Sequence, residues 1–120
     1  MKNSFGNNIS VTIFGESHGK MIGATLDGIA SGIHLDEEKI RDRLNQRKPY
    51  GSISTTRRED DVPIIVSGVW NGITTGTPIT ILFENNNTRS SEYEAIKNCP
   101  RPSHADYTAT AKYGESRDYR

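Results

Sequence analysis

The chain has 120 residues, of which 32% are apolar and 25% charged, and its 15 basic and 15 acidic side chains cancel at pH 7. That length suits one domain and excludes two ordinary ones, while the balanced charge gives no bulk attraction for nucleic acid or an acidic membrane surface. Mean hydropathy is −0.68, and no apolar run approaches the length of a membrane span.

From the N-terminus, Met1 to Asn8 lacks the apolar region of a signal peptide. The single cysteine, Cys99, excludes an intramolecular disulfide and a metal site built from cysteine pairs. A cytoplasmic protein with no metal is the expectation. Val11 to Phe14 is β-branched and aromatic and predicts a strand. Gly15-Glu16-Ser17-His18-Gly19 is a glycine-bracketed turn, and Met21 to Ile29 predicts a second strand pairing back on the first. Glu37 to about Arg47 predicts a helix. Asp36 is placed to cap it, and Leu35 and Ile40 occupy the positions of a hydrophobic staple. Glu37 and Glu38 suit its positive start, Arg43 and Arg47 its negative end, and Pro49 stops it.

Gly51 to Asp61 predicts a loop, and Ile64-Ile65-Val66 a short buried strand. Thr74 to Pro78 predicts a turn and Ile79 to Phe83 the next strand, with antiparallel pairing across the Gly-rich link. Asn85 to Asn87 is a loop, and Glu92 to Lys97 forms one helical turn or two. Pro100 and Pro102 impose an extended path. Ala105 to Tyr113 predicts a helix stopped by Gly114. The order of strands, helix, strands, helix favours α+β over a doubly wound α/β sheet. The expected architecture is an antiparallel sheet with packed helices. The chain ends at Asp118-Tyr119-Arg120 with no stop signal and no polar tail, and the low apolar share suits a piece of a larger fold. Residues 1–120 are therefore expected to be one part of a longer domain, cut at the C-terminus.

Four features could carry chemistry. Gly15-Glu16-Ser17-His18-Gly19 matches the G-x-S-x-G pattern of a nucleophile elbow, in which Ser17 would act in ester hydrolysis. Only one strand precedes it, however, and Gly23, Thr25 and Gly28 make a poor elbow helix after it. At the same strand end, the imidazole of His18 can protonate a leaving group near neutral pH. The alternative is a turn histidine bonded to backbone. His104 follows two prolines and lies near a helix start, where the dipole favours anionic groups; the alternative is a capping role. His34 precedes the cap of the first helix and is expected to be structural. Arg47, Arg57 and Arg58 belong to a basic stretch that would suit a small anion carrying phosphate and carboxylate, or a non-catalytic anion-binding surface, or simply a solvated face. Tyr50 is the only aromatic residue there, which disfavours a nucleic-acid groove.

Taken together, Phe14 to Gly19, Asp27-Gly28, Arg57 to Asp60, Ser67 to Val69, Gly72 to Ile79, Glu84-Asn85, Arg101-Pro102, His104 to Thr108, Lys112 to Gly114 and Asp118 to Arg120 resemble the chorismate synthase family, in order and from end to end. The resemblance implies conversion of 5-enolpyruvylshikimate 3-phosphate to chorismate by 1,4-anti-elimination of phosphate. It implies a requirement for reduced FMN, with NADPH as a possible external reductant, and a homotetramer that packs helices between antiparallel sheets. Carried over by position, His18 resembles the family's acid at the departing phosphate. His104 resembles the histidine that protonates or steadies the reduced flavin. Arg47 resembles an arginine that contacts the anionic ligand and cofactor, and Ser17 adds a hydroxyl. The sequence departs from the family pattern at Lys48, a frequent arginine, and at Ile53, where many members have a second ligand arginine that Arg57 or Arg58 would replace. Ser103 stands where glycine is usual, and the stretch from Gly114 to Asp118 is one residue longer than in the family pattern.

Overall fold

The computed structural model describes residues 2–16, 18–47, 61–85, 93, 97 and 99–114. All but Asp61 of the predicted loop from Gly51 to Asp61, the loop beyond Asn85 and most of the predicted turn from Glu92 to Lys97 lie outside them. Among the described residues seven strands and two helices follow in the order β1 (Ser4–Gly6), β2 (Ser10–Phe14), β3 (Met21–Asp27), α1 (Glu37–Asn45), β4 (Ile64–Ser67), β5 (Val69–Trp70), β6 (Ile73–Thr74), β7 (Ile79–Glu84) and α2 (Asp106–Tyr113). The α+β architecture expected from the sequence is what forms. One antiparallel sheet has the order β1-β2-β3-β7-β4, and β5 and β6 make a separate hairpin.

Strand alternation sorts the sheet into two unlike faces. Register aligns Phe5, Val11, Leu26 and Ile79 in one row and Ile13, Ala24, Ile81 and Ile65 in the next, all on the apolar face. The opposite face carries a row of hydroxyls through Ser4, Thr12, Thr25, Thr80 and Ser67. Ser4 Oγ lies 2.8 Å from Thr12 Oγ1 and Thr25 Oγ1 lies 3.0 Å from Thr80 Oγ1. Ser67 Oγ donates to Pro78 O and accepts from Thr80 N. These pairs satisfy hydroxyls that would otherwise lose hydration when the sheet face is covered. On this face Gly23 lies opposite Phe14, whose ring takes the space of a side chain; a Cβ at Gly23 would stand 2.7 Å from the ring and 2.7 Å from Ile81 O.

Two expectations need correction. β4 is not buried: Ile64 and Val66 are 37% and 53% exposed. It is an edge strand paired only with β7, and a register shift between Ile65 and Ser67 bulges it at Val66. The predicted turn from Thr74 to Pro78 starts one residue later, because Thr74 ends β6. β1 and the β5–β6 hairpin were not foreseen, although Asn71-Gly72, with φ of 48° and 73°, is the residue pair that a two-residue hairpin turn demands.

That hairpin organises the approach to α1. Thr74 is buried; its hydroxyl donates to Ala30 O at 2.7 Å and accepts from Ile33 N at 2.9 Å. Its backbone accepts from Gly32 N and donates to Ile33 O, and Leu35 N donates to Gly72 O. His34 bridges to Ile73, which matches the structural place expected for it. The segment so fixed delivers Asp36, whose carboxylate caps α1 by accepting from Lys39 N at 2.9 Å. The helix ends at Asn45, two residues short of the expected Arg47, with Gln46 as its C-cap. Glu37, Ile40 and Arg41 of α1 line a cleft of about 230 Å³ with Pro63 and Ile65, so the helix lies beside the start of β4.

Thr74→Val keeps the side-chain shape but leaves Ala30 O and Ile33 N without a partner. It should lower stability by about 2–3 kcal/mol, whereas Thr74→Ser should lose much less. Urea unfolding of the two variants measures the difference.

Candidate active site

The turn between β2 and β3 is closed by Gly19 N donating to Glu16 O at 2.9 Å. It joins two antiparallel strands, so Gly15-Glu16-Ser17-His18-Gly19 is a hairpin connection. A nucleophile elbow needs a helix on its far side, and β3 occupies that place. Ser17 itself lies outside the described residues. Asn85 N donates to Lys20 O at 3.0 Å, which keeps the end of β7 beside this turn.

His18 is half-buried. Its ring meets Tyr93 edge-on, with centroids 4.6 Å apart and planes at 62°. Among the described residues its Nδ1 is buried without a hydrogen-bond partner. The turn histidine bonded to backbone through Nδ1 is therefore not what forms. A buried ring nitrogen lacking a partner is costly unless a ligand or water completes it.

The same Tyr93 ring meets the guanidinium of Arg101, whose Cζ lies 5.5 Å from the ring centroid. Arg101 in turn grips Asp106, the first residue of α2. Arg101 Nε donates to Asp106 Oδ2 at 2.8 Å, Nη2 to Oδ1 at 3.0 Å, and the Arg101 backbone N to Oδ2 at 2.9 Å. His104 Nδ1 lies 2.5 Å from Asp106 Oδ1 and 3.2 Å from Arg101 Nη2. Ala105 is the N-cap of α2, with no side-chain cap hydrogen bond, so His104 does not cap the helix. Ser103 has φ of 61°, a left-handed conformation that favours glycine.

The Arg101 side chain, and next its backbone N–H, hold the Asp106 carboxyl well below the usual carboxylate range, and the same pairing raises the Arg101 guanidinium above its ordinary value. The side chain of Asp106 is 8% exposed and that of His104 is 50% exposed. The structure thus joins His18 and His104 through Tyr93 and Arg101. Tyr93, Arg101 and Asp106 were missed as site residues by sequence reasoning. For the last two the available signals were their closeness to His104 and their place in the motifs that carry the family resemblance.

Arg47 follows α1, where Arg47 N donates to Leu44 O. It lines an open groove of about 460 Å³ with Leu35, Asp36, Lys39, Ile40, Arg43 and Leu44. Among the described residues no hydrogen bond or ion pair joins it to either histidine. Arg57, Arg58, Lys48 and Ile53 lie outside the described residues. Among those described, no cluster of His, Cys, Asp and Glu could hold a metal ion, and no helix is long and apolar enough to cross a membrane.

The chain is similar to known proteins over most of its length. The family model described as chorismate synthase matches residues 9–120. A chorismate synthase of Chitinophaga pinensis is 54% identical over 118 residues, covering 98% of this chain and 36% of that protein. One from Thermococcus gammatolerans is 51% identical over 112 residues, covering 93% of this chain and 32% of its own. A solved structure described as chorismate synthase aligns with a TM-score of 0.61 at 30% identity, over 90% of this chain and 25% of that one. The chain belongs to the chorismate synthase family. It spans about a third of the length of the curated relatives it matches.

The depressed carboxyl of Asp106 sets a sign for acid behaviour. Its folded value lies below the ordinary 3.8. The stabilisation it brings is therefore complete above that pH and is lost as pH falls below it toward the folded value. The signals of α2 should stay native at pH 4 and decay only on stronger acidification, and Arg101→Ala should move that transition to higher pH. An acid titration by NMR that finds the same midpoint in both proteins would contradict the Arg101 grip.

Proposed function

We propose that this chain supplies part of the active site of a chorismate synthase, a lyase that forms chorismate from 5-enolpyruvylshikimate 3-phosphate by 1,4-anti-elimination of phosphate. The observation that carries the proposal is the contact chain from His18 through Tyr93 and Arg101 to His104 and Asp106. It draws two imidazoles, the side chains best suited to proton transfer near neutral pH, toward one end of the sheet.

In the reaction a C–O bond to phosphate and a ring C–H bond break and a ring double bond forms, with no net oxidation. His18 is the acid that gives a proton to the departing phosphate oxygen. Its unpartnered Nδ1 and half-buried ring fit a place completed by a ligand. His104, half exposed beside Arg101, fits a group that is anionic when reduced, and FMN is such a group. When bound, reduced FMN supplies electron density as phosphate leaves and recovers it as the hydrogen is lost. His104 holds a proton at the flavin ring, and Arg47 contributes a planar guanidinium to the anionic ligands. Ser17 adds a hydroxyl hydrogen bond, and Arg57 or Arg58 takes the place of the arginine absent at Ile53. Residues 1–120 are one portion of the synthase domain. A homotetramer, a cytoplasmic location and NADPH as one source of flavin reduction accompany the same proposal.

The deciding assay uses the full-length enzyme that carries this segment, anaerobically, with the phosphorylated substrate. Phosphate and chorismate should appear in equal amounts with reduced FMN and not without it. Labelling of Ser17 by an activated phosphonate, with phosphate release independent of flavin, would support ester hydrolysis instead. Ligand binding without turnover would support a non-catalytic anion-binding domain.

In that enzyme His18→Ala and His104→Ala should each lower turnover by about 10²–10⁴, the range for a lost acid or base, with much smaller changes in substrate affinity. Steady-state kinetics checks both. Arg47→Ala should weaken binding of the phosphorylated substrate by about 1.5–3 kcal/mol, the scale of a charge-assisted hydrogen bond, with Arg47→Lys recovering only part because an ammonium lacks the planar fork. Calorimetric titration of the variants measures the loss.

A further inference from the structure

Asp106 stands in an unusual position for the first residue of a helix. Its carboxylate does not turn to the free backbone N–H groups of α2, and among the described residues no side chain caps that end. It turns back instead to three N–H donors of Arg101 and to the ring of His104. We propose that Asp106, braced by Arg101, is a positioning residue that fixes His104 as the Nδ1–H tautomer and leaves Nε2 as the ring nitrogen that meets the ligand.

An ionised carboxylate accepts and cannot donate. With Asp106 Oδ1 at 2.5 Å from His104 Nδ1, that nitrogen must carry the proton, since the other tautomer would set two lone pairs against each other. Arg101 Nη2 also lies 3.2 Å from the same Nδ1, and its second N–H would favour a lone pair there. That lone pair would face the ionised Oδ1 at the shorter distance of 2.5 Å, so the closer carboxylate decides the tautomer. The carboxylate is held on Arg101 by a two-pronged fork and by a backbone N–H, so its direction is set independently of His104. The Asp106 side chain is 8% exposed and that of His104 is 50% exposed, so the pair presents a fixed inner nitrogen and an open side. In the neutral ring Nε2 then has a lone pair; in the imidazolium it has the proton to give.

The catalytic consequence rests on the synthase proposal, whereas the tautomer does not, and the test separates them. In the full-length enzyme labelled with ¹⁵N-histidine, long-range ¹H–¹⁵N correlation should find neutral His104 protonated at Nδ1. Arg101 claims the one remaining side-chain oxygen in Asp106→Asn, so the amide turns its NH₂ to His104 and the proton should move to Nε2. The same variant should lose about 10²–10⁴ in kcat with KM changed only a few-fold, and Asp106→Glu should recover part of the loss. In a His104→Ala background, Asp106→Asn should cost no more than about 2-fold, because both changes remove one function. Neutral His104 protonated at Nε2 in the wild-type protein, or losses that multiply in full in the double variant, would overturn the proposal. The expected tautomers in an enzyme that makes no chorismate would uphold the positioning role and overturn the synthase reading alone.

Discussion

The pairing of β3 with β7 is the constraint on which the rest of the molecule depends. Six residue pairs, from Met21 with Glu84 to Leu26 with Ile79, close a loop of more than fifty residues. Such closure costs chain entropy that only the buried pairing surface can offset. Ile79, the one buried apolar side chain among the described residues, sits at the start of that strand. β4 has no other neighbour in the sheet than β7, and the β5–β6 hairpin hangs between these two strands. Through Thr74 the hairpin holds the segment that caps α1. Without the β3–β7 ladder the N-terminal meander and the segment from residue 61 onward would have no shared frame.

The same pairing aims the chemistry. It brings Asn85 beside Lys20, so the chain leaves β7 next to the turn that carries His18. Tyr93 then meets His18, and Arg101 meets Tyr93. A rigid turn between paired strands and a helix start tied down by an ion pair are stiffer supports than free loops, which suits groups that must hold a proton in place. The apolar face built on Val11, Ile13, Leu26 and Ile81 is only partly covered, with Ile13 50% exposed and Phe5 58% exposed.

Much of the fold was legible because it is written in local chemistry. The β-branched runs at Val11 and Ile79, the cap at Asp36 and the stop at Gly114 each follow from one or two residue types. β1 was missed because only Phe5 of Ser4-Phe5-Gly6 favours a strand, and the segment is held by its pairing with β2. The Asn71-Gly72 turn was legible and was passed over, because its strands are two residues each. The edge position of β4 was not legible, since an apolar triplet reads alike in the middle and at the rim of a sheet. At the site, motif order picked out His18 and His104. The Arg101–Asp106 fork and the Tyr93 contact depend on how residues 93–114 return to the sheet, and neither pattern nor spacing encodes that path. Ser103 is a mixed case: the departure from glycine was visible in the sequence, and its backbone consequence only in the structure.

The central claim is that His18 and His104 serve one ligand site, and it is tested most directly by watching both rings at once. The full-length enzyme, labelled with ¹⁵N-histidine, would be titrated first with FMN and then with the phosphorylated substrate, following the ring nitrogens of each histidine. Both sets of resonances should change on assembly of the complete complex, and those of His34, bridged to Ile73, should stay still. If either His18 or His104 remained unchanged in the saturated complex, the two histidines would not share a site.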